Sequence, residues 1–235
     1  MRQFFIDEKL DIGITVCLNQ DIKHHLIDVL RFKDGDIIRL VDNTNQPYKA
    51  QISLDNNLSA KVIEKFESVE KKGKIIYCCC MIKKDRWQWL IEKAVEFNCD
   101  VIVPVISERT IIHIDEKIEK KVERWNKIAL MAAQQCNRTD LVKVEKPIKL
   151  KQIVQYKSTN NLVAYEKEKG NYLYDLIDDN DITFLIGPEG GFTEKEIDFL
   201  VDNGFKCCSL SDNILRAESA GMYFLSVIDA RRKSI

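Results

Sequence analysis

Ile182-Thr183-Phe184-Leu185-Ile186-Gly187-Pro188-Glu189-Gly190-Gly191 is an apolar run that breaks into a turn carrying three glycines. A short apolar stretch bounded by turn residues fits a strand buried on both faces. Thr193 with Glu196 then supplies a capping box, so a helix opens directly after the turn. A second junction of the same kind follows: strand-like Phe205 to Leu210, then Ser211-Asp212-Asn213-Ile214-Leu215-Arg216, then a helix predicted over Ala217 to Ile228. In an open parallel sheet such junctions lie at the carboxyl ends of the strands, where small ligands bind. Two of them about a helix apart can form two walls of one pocket, which points to a cofactor site.

The turn chemistry narrows the ligand. Without a Cβ, Gly187, Gly190 and Gly191 let main-chain amides approach a ligand closely, although a glycine turn alone is equally an ordinary strand-to-helix connection. No Gly-Lys-Ser/Thr follows and the spacing is not Gly-x-Gly-x-x-Gly, which argues against phosphate-cradling NTPases and ordinary dinucleotide folds. Glu189 would repel a phosphate. A cationic or neutral ligand suits it better.

Outward from these turns, strands and helices alternate from Lys74 onward, the pattern of a parallel sheet with crossover helices. Lys74 to Met81, Val101 to Val105 and Asn161 to Tyr165 read as further strands. Asp85 is placed to cap a helix through Phe97, and apolar positions from Ile118 to Cys136 predict a long helix from Asp115. Upstream the pattern is short and β-like, with Phe4 to Ile6, Ile37 to Val41, Lys49 to Ile52 and Ala60 to Ile63 as strands and His24 to Arg31 as one short helix. The charged stretch Glu67 to Gly73 suits a linker, so two domains are expected, residues 1–72 and 73–235.

Composition excludes several classes. With 235 residues, 45% of them apolar, the chain can bury a sizeable core. A formal net charge of −1 gives no global attraction to nucleic acid, so RNA binding would need a local patch. No apolar run reaches the ~18 residues of a membrane span, and Asp7 arrives too early for a signal peptide. A cytoplasmic protein without a membrane partner is expected. None of the eight cysteines forms a Cys-x-x-Cys pair, and Cys78 to Cys80 and Cys207-Cys208 sit in apolar strand-like stretches. They read as buried structural thiols in a reducing compartment, with no metal.

Leu185 to Phe192 together with Ile214-Leu215-Arg216-Ala217-Glu218-Ser219-Ala220 resembles the RsmE family. Further blocks carry the resemblance along the whole chain: His24-His25-Leu26, Val29-Leu30-Arg31 with Gly35-Asp36, Glu92 to Glu96, Pro104 to Arg109, Arg124-Trp125 and Ala132 to Thr139. It implies an S-adenosylmethionine-dependent methyltransferase of the SPOUT class acting on N3 of a uridine in small-subunit ribosomal RNA. The implied fold is α/β, with a small N-terminal PUA-like β-barrel and a C-terminal, mostly parallel sheet tied in a trefoil knot. A homodimer and a partner in ribosomal RNA or the small ribosomal subunit are implied as well.

By position, the resemblance places the cofactor against main-chain groups of Ile186, Gly187, Gly191, Leu210, Ser211, Ile214 and Leu215, with Glu189, Gly190 and Ala217 completing the two turns. Ser211 stands where the family usually has glycine. Crowding of the cofactor or a left-handed backbone is therefore expected there, the latter costing on the order of 1 kcal/mol. Asp140 replaces a usual basic residue after Arg138.

Methylating uracil N3 means removing the imide proton and stabilising the anion on the base. Arg216 and Arg138 are the candidate catalytic residues, and His25, Arg31, Arg109 and Arg138 the candidate RNA contacts. Arg138 and Arg109 would reach across a dimer interface. The proton acceptor stays open between Glu189 and Glu218, and Arg216 could instead be an ion-pair partner of either. Ribose 2′-O-methylation of RNA and a non-enzymatic RNA-binding module are the competing functions.

Overall fold

The computed structural model of the chain describes residues 1–54, 58–68, 71–111 and 116–233. They divide into two compact units, residues 1–70 with 133–140, and residues 71–132 with 141–235.

In the first unit, β1 (Gln3–Phe5), β2 (Thr15–Cys17), β3 (Ile37–Val41), β4 (Pro47–Ser53) and β5 (Ser59–Lys65) form one sheet in the order β1-β3-β4-β5-β2. The β1–β3 pair is parallel and the others are antiparallel. Phe4, Val16, Leu40, Ile52 and Val62, from all five strands, meet in one core, as the strands of a curled, barrel-like sheet do. The three residues of β2 are too few for alternation to reveal, and that strand was not foreseen.

The expected helix from His24 to Arg31 starts earlier and is not regular. Asn19 caps α1 (Gln20–His24) by accepting from the Ile22 amide at 2.9 Å, and a π-helical turn, His25–Val29, follows at once. Ile22 and Leu26, four residues apart, are its buried positions, so the apolar face extends one turn upstream. Arg31, with φ of 56°, ends it in the left-handed region.

In the second unit, β6 (Ile75–Cys80), β7 (Val101–Ile106), β8 (Lys143–Val144), β9 (Ile148–Lys149), β10 (Asn160–Ala164), β11 (Ile182–Ile186) and β12 (Lys206–Cys208) make a parallel sheet. Its order is β12-β10-β11-β6-β7-β8, with β9 also on β7. The helices are α2 (Lys84–Glu96), α3 (Ile118–Gln135), whose residues from Ala133 on belong to the first unit, α4 (Leu173–Leu176), α5 (Glu194–Asp202) and α6 (Ala217–Lys233). β6 and β11 are buried at every position, as their unbroken apolar runs require.

Several boundaries move for physical reasons. Lys83 is the N-cap of α2, without a side-chain capping bond, and Asp85 lies inside the first turn, where a carboxylate still favours the helix dipole. Asp115, expected to start α3, lies outside the described residues, as do Val69 and Glu70 of the expected linker. The last strand is shorter than Phe205 to Leu210, because Ser209 forms an isolated bridge with Tyr172 and the chain then leaves the sheet. α6 runs five residues past Ile228. Arg231, Arg232 and Lys233 favour its C-terminal dipole, and buried Arg232 donates to the carbonyls of Lys72, Gly73, Asp178 and Asn180.

On one face of this sheet three rings stack: Tyr77 of β6 on Phe184 of β11 at 4.4 Å, and Phe184 on Phe224 of α6 at 4.1 Å. α6 approaches Tyr77 so closely that a Cβ at Gly221 would overlap the tyrosine hydroxyl. Gly221→Ala should therefore destabilise the protein by about 1–3 kcal/mol through overpacking. Denaturant unfolding tests this, and an unchanged midpoint would mean that α6 does not press on Tyr77.

Cys78, Cys79, Cys80, Cys99 and Cys208 are buried, whereas Cys17 is exposed. Burial pushes the Cys78 and Cys79 thiols up, and those of Cys80 and Cys208 to about 12. Unfolded thiols ionise near pH ~8.5. Stability held by keeping these groups protonated is thus complete below that value and lost as pH rises toward the folded values. The thermal midpoint should fall progressively above pH ~9. At pH 8, iodoacetamide should modify Cys17 and leave Cys78, Cys79 and Cys80 intact until denaturant is added; rapid labelling of those three would contradict a buried β6.

Candidate functional site

The turns after β11 and β12 lie together. Gly187 to Phe192 and Ser209 to Ala217, joined by Ala164, Tyr165, Glu166, Ile186 and Ala220, line a cavity of about 380 Å³. All ten candidate cofactor positions are in this lining: Ile186, Gly187, Glu189, Gly190, Gly191, Leu210, Ser211, Ile214, Leu215 and Ala217. Sheet order explains the meeting, since β12 and β11 flank β10 on its two sides.

The first turn is braced from three directions. The Gly191 amide donates to the Pro188 carbonyl at 2.9 Å, closing a tight turn, and Gly191 has φ of 67°. The Phe192 ring folds back under Gly187, 2.9 Å from where a Cβ would stand, and is itself buried in the core. Arg109, in the loop after β7, donates to the Gly190 carbonyl at 2.8 Å. Glu196 carries a double load: one carboxylate oxygen accepts from the Thr193 amide at 2.9 Å in the capping box, and the other from the Glu108 amide at 2.8 Å. The loop carrying Arg109 is thereby tied to α5.

In the second wall, Ser211 accepts from the Asn213 amide at 3.2 Å. The expected left-handed backbone at Ser211 is not found: outside glycine, the described residues with positive φ are Arg31, Asn45, Asn98 and Asn137. A serine therefore fits here without backbone strain. Arg216 is exposed, and its guanidinium has no hydrogen-bond or ion-pair partner among the described residues. Glu218 does not pair with it, because Glu218 pairs with Arg86 of α2 at 3.3 Å. One Glu218 oxygen is buried with no partner among the described residues.

Among the described residues of this lining, Glu166, Glu189 and Asp212 oppose the guanidinium of Arg216, so the lining favours a cation over an anion. Glu166, Tyr165 and Phe192 were missed by sequence reading. Glu166 carries no motif; only the strand order places it here.

The other candidates stand elsewhere. Arg138, in the first unit, is buried and clamps Asp140 with two bonds of 2.8 and 2.6 Å, and is not among the lining residues. Asp140, read as replacing a cation, is thus the arginine's own partner. His25 is half-buried, edge-on to Phe4, with its pKa lowered by burial, then by Arg2 and His24. Arg31 is exposed. Trp87 and Trp125 pack edge to face at 5.5 Å and are buried.

Gly191→Ala should cost about 1–2 kcal/mol, because a left-handed backbone disfavours a Cβ. Gly190→Ala, at an ordinary φ and only 3.4 Å from the Arg109 side chain, should be nearly neutral in thermal unfolding. Equal losses would contradict this turn geometry.

Comparison with known proteins places this architecture. Residues 69–229 match the family described as RNA methyltransferase domain, and residues 18–65 the RNA methyltransferase PUA domain. The chain is 30% identical to ribosomal RNA small subunit methyltransferase E of Mesomycoplasma hyopneumoniae, over 96% of this chain and 98% of that one. It is 32% identical to the Rickettsia conorii protein of the same name, over 94% and 92%. The structure of the Neisseria gonorrhoeae enzyme of that name, bound to S-adenosyl methionine, superposes with a TM-score of 0.89 at 26% identity, covering 98% of this chain and 97% of that one. A Legionella pneumophila methyltransferase solved with the cofactor SAM gives 0.87 at 27%, covering 97% and 96%. The chain belongs to the RNA methyltransferase family, in its ribosomal RNA small subunit methyltransferase E branch.

Proposed function

We propose that this protein transfers the methyl group of S-adenosylmethionine to N3 of a uridine in small-subunit ribosomal RNA. One observation carries the reading: the glycine-bearing and serine-bearing turns wall a single cavity in which, among the described residues, carboxylates outnumber cations. That lining fits a ligand with a sulfonium charge, and the exposed Ile214 side chain offers an apolar surface to a nucleoside base. Bound there, S-adenosylmethionine supplies an electrophilic methyl. The main chain of Ile186 to Gly191 and Leu210 to Leu215 holds and orients it.

Arg216 is the residue assigned to the base. Its unpartnered guanidinium beside the second turn is free to accept the charge that develops on the uracil oxygens as the N3 proton leaves. The proton goes to one carboxylate, either Glu189, exposed on the first turn, or Glu218, one of whose oxygens has no partner among the described residues. Residues 1–72 hold RNA, with His25 and Arg31 on phosphate, and residues 73–235 carry methyl transfer. Arg138, fixed on Asp140, positions the RNA-facing segment around it, and Arg109 holds the first turn while its exposed side reaches RNA. A homodimer, a trefoil knot in the C-terminal sheet and a cytoplasmic location complete the proposal, on the strength of the family resemblance.

Arg216→Ala should lower the rate of labelled-methyl transfer to small subunits by ~10²-fold or more, the scale of losing one anion-stabilising donor. S-adenosylmethionine affinity by calorimetry should change little. An unchanged rate would remove Arg216 from the mechanism. Mapping the product separates the alternatives: a ribose methyl would replace base methylation, and a chain that binds RNA but not the cofactor would be a binding module.

A further inference from the structure

Glu166 lies two residues past the end of β10, and β10 sits between β11 and β12 in the sheet. The turns that follow those two strands therefore flank it, and Glu166 lines the cavity between them. Its Oε1 is 3.1 Å from the point a Cβ on Gly191 would occupy, so the carboxylate lies against the first turn. The main chain beneath it is fixed, with the Tyr165 amide donating to the Cys208 carbonyl at 3.1 Å and the Glu168 amide to the Tyr165 carbonyl at 3.1 Å. Its neighbours are engaged: Lys167 with Glu194 at 3.1 Å, and Glu168 with Asn171 at 3.1 Å. Glu166 has no hydrogen-bond or ion-pair partner among the described residues.

An ionised carboxylate only accepts hydrogen bonds, and its two oxygens match two adjacent hydroxyls. In open parallel sheets that bind nucleotides, an acid at the end of the strand beside the glycine-turn strand takes the ribose hydroxyl. The position of Glu166 relative to the turn after β11 is of that kind. We propose that Glu166 accepts hydrogen bonds from the ribose 2′- and 3′-hydroxyls of the nucleoside held in this cavity. This rests on the reading of the cavity as the S-adenosylmethionine site.

The test is calorimetric titration of the full chain and its Glu166→Ala and Glu166→Gln variants with S-adenosylmethionine and with methylthioadenosine. The second ligand keeps adenine and ribose but lacks the sulfonium charge and the amino-acid tail. Glu166→Ala should weaken both ligands by a similar factor, about tenfold or more for hydrogen bonds to a charged group. Glu166→Gln, which retains one accepting oxygen, should fall between. Because Glu166 is exposed, the thermal midpoints of the ligand-free variants should match the parent. A loss confined to S-adenosylmethionine would overturn the ribose assignment and place Glu166 opposite the cofactor's positive charge. Unchanged affinity for both ligands would overturn the inference while leaving the cofactor reading intact. Failure of the parent chain to bind S-adenosylmethionine would bring down that reading itself.

Discussion

The stack of Tyr77, Phe184 and Phe224 sets the geometry on which the cavity depends. β11 ends at Ile186, where the first turn begins, and α6 starts at Ala217, where the second wall ends. By pressing α6 onto β6 and β11 through three parallel rings, the stack fixes the distance between those two ends. Each aromatic pair adds about 0.5–1.5 kcal/mol beyond its buried area. Gly221 is the concession that makes the approach possible, since any side chain there would hold the helix away from Tyr77. At the far end of α6, Arg232 closes the arrangement by donating to carbonyls of two separate chain segments.

With its walls fixed, the cavity gains its character from charge. Among the described residues, its lining supplies main-chain groups, apolar side chains and the carboxylates of Glu166, Glu189 and Asp212, with the exposed guanidinium of Arg216. Such a surface repels a phosphate and attracts a sulfonium. Demethylation of that cation leaves a ligand with one positive charge fewer, so the same field that favours the reactant favours the product less. The Arg109 and Glu196 contacts add rigidity to the first turn, which lets main-chain dipoles act without reorganising when the ligand arrives.

Much of this is legible in the sequence. Unbroken apolar runs marked β6 and β11, the Thr193–Glu196 capping box is formed as read, and the two turns were expected to share one cavity. Other features left no local trace. β2 is three residues long, β8 and β9 two each, and the pairing of such short strands is decided by partners distant in sequence. The π-helical turn at His25–Val29 and the ordinary backbone of Ser211 are likewise set by surroundings rather than by their own residues.

The amino-acid sequence by itself determined the longer strands and helices and the turn chemistry: periodicity, caps and glycines act over a few residues, and their energetics are local. It also carried the family resemblance, because several motifs recur in order. Only the tertiary structure decided which side chains meet. Glu218 took Arg86 instead of Arg216, Arg138 took Asp140, Arg109 took the Gly190 carbonyl, and Glu166 came to lie against Gly191. Long charged side chains reach several partners at similar cost, and strand order, which no local pattern encodes, settles which of them is near.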